Sequence, residues 1–304
     1  MRICSLLPSA TEIVYALGLG DQLYGVSHEC DYPPEAEAKP TLIRSAFDQS
    51  SLSSLEIDHA VMERLRSGEG IYTIDHDLLR QAEPDLILTQ ELCDVCAVPY
   101  SEVKRAVGQL GGQPRLLPLS PSLLGDVLQD ISRVGEATGR EEQAGFLVRR
   151  LRERIDRVAA RTATAAERPT TFCLEWADPL YVAGHWVPEM VEMAGGIDGL
   201  GVKGKPSVQI EWERVVKYAP EVVILMPCGF DVERAVREVP LLTRLPGWSD
   251  LPAVQRGQVY AVNATAYFSR SGPRLVDGLE LLAKILHPEL FPGVIPGEAA
   301  TRVA

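Results

Sequence analysis

Two hydrophobic rhythms alternate along the 304 residues. Short apolar runs stand between stretches in which apolar residues recur every three or four positions. Residues 2–6 form an apolar run that ends at Pro8 and Ser9, where Ser9 or Thr11 can cap a helix reaching Gly18 and Gly20. YGVS at 24–27 predicts a second strand, and the spacing of Leu55, Ile57, Val61, Met62 and Leu65 predicts a surface helix over 53–67. A helix over 75–82 leads into a strand at 85–89, and a helix over 100–110 leads into RLLPL at 115–119. Strand alternating with helix is the signature of a largely parallel sheet.

Residues 123–160 break that rhythm. Leu124, Val127, Leu128, Ile131, Val134, Phe146, Leu147, Leu151, Ile155 and Val158 keep a helical period, weakened at Gly135 and Gly139, so two abutting helices fit. The alternation then restarts with TFCLEW at 171–176 and YVAG at 181–184, then a helix opening at Pro188. Further on come a helix at 211–219, EVVILM at 221–226, a helix at 231–239, QVYAV at 258–262 and a helix at 272–286. The expected architecture is α/β: two Rossmann-like lobes with mostly parallel sheets, 1–122 and 161–304, joined by a helical connection over 123–160, with a ligand cleft between the lobes.

The two halves echo each other. DLLRQAEPDLILT at 77–89 and ERVVKYAPEVVIL at 213–225 each carry an acid, a short apolar helix, a proline and a strand. Asp77 and Glu213 both stand seven residues before the proline, Pro84 or Pro220.

A net charge of -12 argues against a general nucleic-acid partner, which needs basic residues to neutralise phosphates. No window approaches the ~20 apolar residues of a membrane span. The opening MRICSLLPSA has too short an apolar run for a signal peptide, so a cytoplasmic location is expected, or a periplasmic one if a leader precedes Met1. The phosphate-loop, GxGxxG, GxSxG and HExxH motifs are absent, so no enzyme is expected.

Ligands of open parallel sheets gather beyond the carboxyl ends of the strands. Ser9 follows the first run there, and His28, Glu29 and Cys30 follow the second. Gln90, Cys93 and Cys96 follow the run at 85–89. In the second half Trp176, His185, Trp186, Cys228, Phe268 and Arg270 hold the corresponding places. The CDVC segment at 93–96 is the sharpest local signal: its thiols, with Cys30 and Cys228, can ligate a soft metal ion, do redox work, or simply pack. Trp176, Trp186 and Phe268 can supply flat contact surface to a large planar ligand, or pack in the core.

The chain resembles the vitamin B12- and iron-siderophore-binding proteins of ABC importers. The likeness rests on SLLPSATEIVYALGLGDQLYGVSHECDYPPEA at 5–36 and AEPDLILTQ at 82–90. In the second half it rests on WERVVKYAPEVVIL at 212–225 and YFSRSGPRLV at 267–276. The resemblance implies a non-catalytic receptor for cobalamin or a related corrinoid, from a cytoplasmic offshoot of the family. A ferric-siderophore or heme-like ligand, or a cysteine-dependent metal-binding protein or enzyme on the same scaffold, is the alternative. It further implies that Asp77 and Glu213 dock onto arginines of an ABC permease. Three positions depart from the family's aromatic pattern: Glu29, Ile71 and Ser207. Trp186 and Tyr72 can compensate.

Overall fold

The computed structural model describes residues 1–91 and 98–304. They form two compact units, Met1–Pro121 with Gly125–Arg150, and Ser122–Leu124 with Leu151–Ala304.

The first unit is built on strands β1 (Ile3–Ser5), β2 (Leu23–Ser27), β3 (Thr41–Ser45), β4 (Tyr72–Ile74), β5 (Leu86–Gln90) and β6 (Arg115–Leu119). Their order is β4-β3-β2-β1-β5-β6, and only β4 runs antiparallel to its neighbour. β1 and β5 are covered on both faces: Ile3, Cys4, Leu86, Ile87 and Leu88 are all fully buried. That is why these strands read as continuous apolar runs rather than as alternation. β3 and β4 were not evident in the sequence, because TLIRS and YTI are short and carry no apolar run of their own. Neither Ser9 nor Thr11 caps the first helix. Pro8 takes its first position, so the cap falls on Leu7, which has no side-chain acceptor, and both hydroxyls lie inside helix Pro8–Ala16. Helix Ser54–Ser67 has the full sequence signature: a Ser53/Glu56 capping box and a left-handed Gly68 with φ 74°.

The second unit carries β7 (Thr170–Ala177), β8 (Leu180–Val182), β9 (Ile197–Asp198), β10 (Val208–Gln209), β11 (Val222–Leu225), β12 (Val259–Val262) and β13 (Ala300–Arg302). The order is β10-β8-β7-β11-β12-β13, with β9 beside β7. β7, β11 and β12 are parallel, whereas β8, β10 and β13 run against their neighbours. Phe172, Leu174, Val223, Leu225, Val259 and Ala261 alternate toward one core under Trp212 and Trp248.

Two helices, Leu124–Thr138 and Glu141–Thr162, occupy the stretch between the sheets. They part at Gly139, whose φ of 66° suits glycine. Gly135 lies within the first of them, and a Cβ there would meet the Ala144 methyl at 2.5 Å, so its bare backbone permits the close approach. The start of helix Leu124–Thr138 is held by a distant side chain. The Leu124 N–H donates to Glu189 Oε2 at 2.9 Å, in a buried bond. The Lys203 ammonium lies 3.5 Å from the other oxygen of that carboxylate. Replacing Glu189 with alanine leaves a buried N–H unsatisfied, so stability in denaturant is expected to fall by about 1–3 kcal/mol. Glutamine should retain most of it. Equal losses for both variants would show that the charge, not the cap, matters.

Candidate functional site

In the first unit the carboxyl ends of β2 and β3 face a common depression of about 630 Å³ lined by His28, Glu29 and residues 44–49. His28 is fixed by its own N–H, which donates to Ile43 O at 2.9 Å. Its Nδ1 lies 3.4 Å from Ser27 Oγ, its Nε2 3.9 Å from Glu29 Oε1, and its ring centroid 6.2 Å from that of Tyr72. Tyr72 reaches this edge because β4 is antiparallel and pairs Tyr72 with Ser45, the last residue of β3. Arg44 and Phe47 join the lining and were missed, since the rule that locates strand ends needs β3 to be recognised first.

The other residues expected in the first unit occupy varied positions. Ser9 is buried in the first turn of its helix. Gln90 is buried at the end of β5. Cys30 is buried, with its Sγ 3.1 Å from Thr11 Oγ1. Thr11 in turn donates to Ser5 Oγ at 2.8 Å. Cys93 and Cys96 lie outside the described residues. Among the described residues no group of three or more His, Cys, Asp and Glu side chains is placed to hold a metal ion. Burial pushes the Cys4 thiol up to about 12 and Cys173 well above its ordinary range, so both stay protonated core groups.

In the second unit the loops after β7, β11 and β12 supply a second cluster. Trp176 stands at the end of β7, its ring 5.3 Å from that of Phe230, and the Arg234 guanidinium lies 4.6 Å over the far ring. The Cys228 N–H donates to Glu175 O at 3.0 Å and the residue is exposed. Ser207 Oγ donates to Glu175 Oε1 at 2.5 Å. Trp186 and Phe268 are buried and joined by a bond from Trp186 Nε1 to Phe268 O at 2.8 Å. Arg270 follows that loop and accepts the Gly272 N–H.

His185 is placed differently from what the strand-end rule implies. β8 returns antiparallel along β7, and the Ala183 N–H bonds Cys173 O, so His185 is carried back from the carboxyl edge. It has φ 50° and its N–H donates to Lys205 O. Burial lowers its pKa below the ordinary 6.5, which keeps the imidazole neutral near pH 7. The unfolded chain binds that proton more readily. This contribution to stability is therefore complete above the unfolded value and declines as pH falls through the folded one. His185→Gln is expected to flatten the pH dependence of stability below about pH 6.5; an unchanged slope would remove His185 from that role.

The internal echo has a physical counterpart. Helices His76–Ala82 and Trp212–Tyr218 are each seven residues long, with Asp77 and Glu213 second in each. Each ends on a left-handed non-glycine residue, Glu83 at φ 41° and Ala219 at φ 51°. Pro84 and Pro220 then lead into β5 and β11. Both acids are exposed, and Asp77 accepts a bond from Arg80 at 2.6 Å.

A family model described as Periplasmic binding protein matches residues 3–266. An uncharacterized ABC transporter substrate-binding lipoprotein of Bacillus subtilis is 28% identical over 95% of this chain and 81% of its own. A vitamin B12-binding protein of Vibrio cholerae is 27% identical over 94% of this chain and 88% of its own. Among solved structures, a periplasmic heme binding protein from Pseudomonas aeruginosa superposes with a TM-score of 0.74 at 21% identity, covering 100% of this chain and 99% of that one. The periplasmic vitamin B12 binding protein of Vibrio cholerae gives 0.67 at 23%, covering 96% and 98%. These likenesses in structure establish the two-lobed α/β fold with mixed, mostly parallel sheets linked by helices. They also correct one expectation. The expected cytoplasmic location, and with it a cytoplasmic offshoot of the family, gives way to a periplasmic or extracytoplasmic one, to which the family and its structural relatives point. No helix among the described residues is long and apolar enough to cross a membrane. The chain belongs to the periplasmic binding protein family, the non-catalytic small-molecule-binding proteins of the ABC-transporter type.

Proposed function

We propose that the protein binds a metal chelate carried by a large organic ligand, a corrinoid, a heme or a ferric siderophore, and delivers it to an ABC permease. One observation carries the reading: metal-coordinating groups and flat rings gather at the strand ends. In the first unit these are His28 and Tyr72, and in the second the exposed Cys228, whose N–H bonds the carbonyl of Glu175 next to Trp176, itself packed with Phe230. Imidazole, phenol and thiol are axial ligands suited to iron or cobalt, and the rings suit a planar macrocycle. Relatives support the class, being vitamin B12-binding by sequence and both heme- and vitamin B12-binding by structure. In this reading Ser9, Gln90, Arg270 and the thiols of Cys93 and Cys96 also contribute to ligand binding, and Asp77 and Glu213 dock on basic residues of the permease.

Native mass spectrometry with visible spectroscopy on protein purified without added ligand tests this. A bound corrinoid or heme adds its mass and its absorption bands, and a ferric siderophore its charge-transfer band. Replacing His28 with alanine is expected to shift the absorption bands of a bound corrinoid or heme and weaken binding by about tenfold, or 1.4 kcal/mol. Unchanged spectra and affinity would take His28 out of the coordination sphere.

A further inference from the structure

The depression in the first unit carries more information than a place to bind. Its side chains are of mixed character. Arg44 presents a fork of donors, Glu29 and Asp48 present carboxylates, Gln49 offers both kinds of group, and Phe47 offers a half-buried ring. The turn behind them satisfies itself. Ser45 Oγ donates to Phe47 O at 2.6 Å and accepts the Phe47 N–H at 3.3 Å. Asp48 accepts the Ser50 N–H at 2.9 Å, which holds its carboxyl below the usual range and keeps it ionised. One guanidinium and two carboxylates thus line the same depression.

That balance discriminates between the fringes a chelate can carry. A carboxylate substituent would meet one opposite charge and two like charges. A primary carboxamide suits the set better: its C=O accepts from the Arg44 fork, and its NH2 donates to Glu29 or Asp48. Phe47 leaves an apolar surface for the edge of the ring system. We infer that this depression selects chelates whose periphery carries neutral carboxamides over those fringed with carboxylates. The inference rests on the metal-chelate reading and narrows it.

Two probes with the same cobalt macrocycle and different fringes separate the cases: dicyanocobinamide, fringed with amides, and dicyanocobyrinic acid, fringed with carboxylates. Titrated into the full chain at low and moderate salt, cobinamide is expected to bind at least about tenfold more tightly. In Glu29→Gln/Asp48→Asn the acid should gain affinity and the ratio should fall to within about threefold. Arg44→Gln should weaken cobinamide, and its thermal melt should be unchanged because Arg44 is exposed. Equal affinity for the two probes, tighter binding of the acid, or a ratio untouched by the double variant would overturn the inference while leaving the metal-chelate reading in place. If neither probe binds, nor hemin, nor a ferric siderophore, the reading and the inference fall together.

Discussion

Phe172→Ala is expected to lower the stability of the second unit by about 3–5 kcal/mol. Phe172 is 1% exposed and lies in β7, between β8 and β11. It shares a core cluster with Leu174, Val215, Val223, Val259 and Trp248, and such close-packed residues have little freedom to close the space left by a ring. Trp176 lies in β7 itself and Cys228 follows β11, so the damage reaches the site through the sheet. All four tryptophans, at 176, 186, 212 and 248, belong to the second unit. Tryptophan fluorescence in a urea titration therefore reports that unit without a contribution from the first. Phe172→Leu keeps most of the volume and should cost less than about half as much. A fluorescence midpoint shifted by less than about 1 kcal/mol in the alanine variant would show that the core around β7 is looser than its burial implies.

Reversing Asp77 and Glu213 together to arginine is expected to reduce uptake through the permease by at least about tenfold per site, while ligand affinity stays within about twofold. The expected effect is electrostatic. Both acids are exposed and stand second in matched seven-residue helices, one in each unit, at the same point before β5 and β11. Carboxylates in the first turn of a helix are favoured by its dipole. A partner carrying arginines would bind such points, and a reversed charge there repels. Asp77 does share its charge with Arg80, so Asp77→Arg alone should give the smaller loss. Uptake measured in vesicles containing the permease, beside binding to the isolated protein, separates docking from ligand binding. Equal uptake by the reversed and native proteins would contradict the assignment of these acids.

Much of the scaffold was legible because its signals are local. The buried strands β1, β5, β7 and β11 are apolar on both faces, and prolines or glycines mark their edges. The break between the connecting helices falls at Gly139, where a left-handed residue is required. The features that stayed hidden depend on distant pairing. β3 and β4 become strands by pairing with each other and with β2, and β13 by pairing with β12. Arg44 and Phe47 therefore could not be placed at the site from sequence. His185 shows the limit of the strand-end rule: the rule assumes a parallel strand, and β8 is antiparallel. Trp186 and Phe268, read as ring surface for a ligand or as core, are buried and bonded to each other, an arrangement only the folded chain displays. Location is hidden from the opening residues for a different reason. An opening segment describes what it contains, whereas the family it belongs to is written along residues 3–266.

A metal chelate is the ligand proposed for this chain. Isothermal titration of the purified, ligand-stripped protein with hydroxocobalamin, hemin and a ferric siderophore addresses it most directly. At least one of the three is expected to bind with a dissociation constant of about 1 μM or tighter, near 8 kcal/mol, with an accompanying change in its visible spectrum. No heat and no spectral change with any of the three, at protein concentrations well above that value, would contradict it.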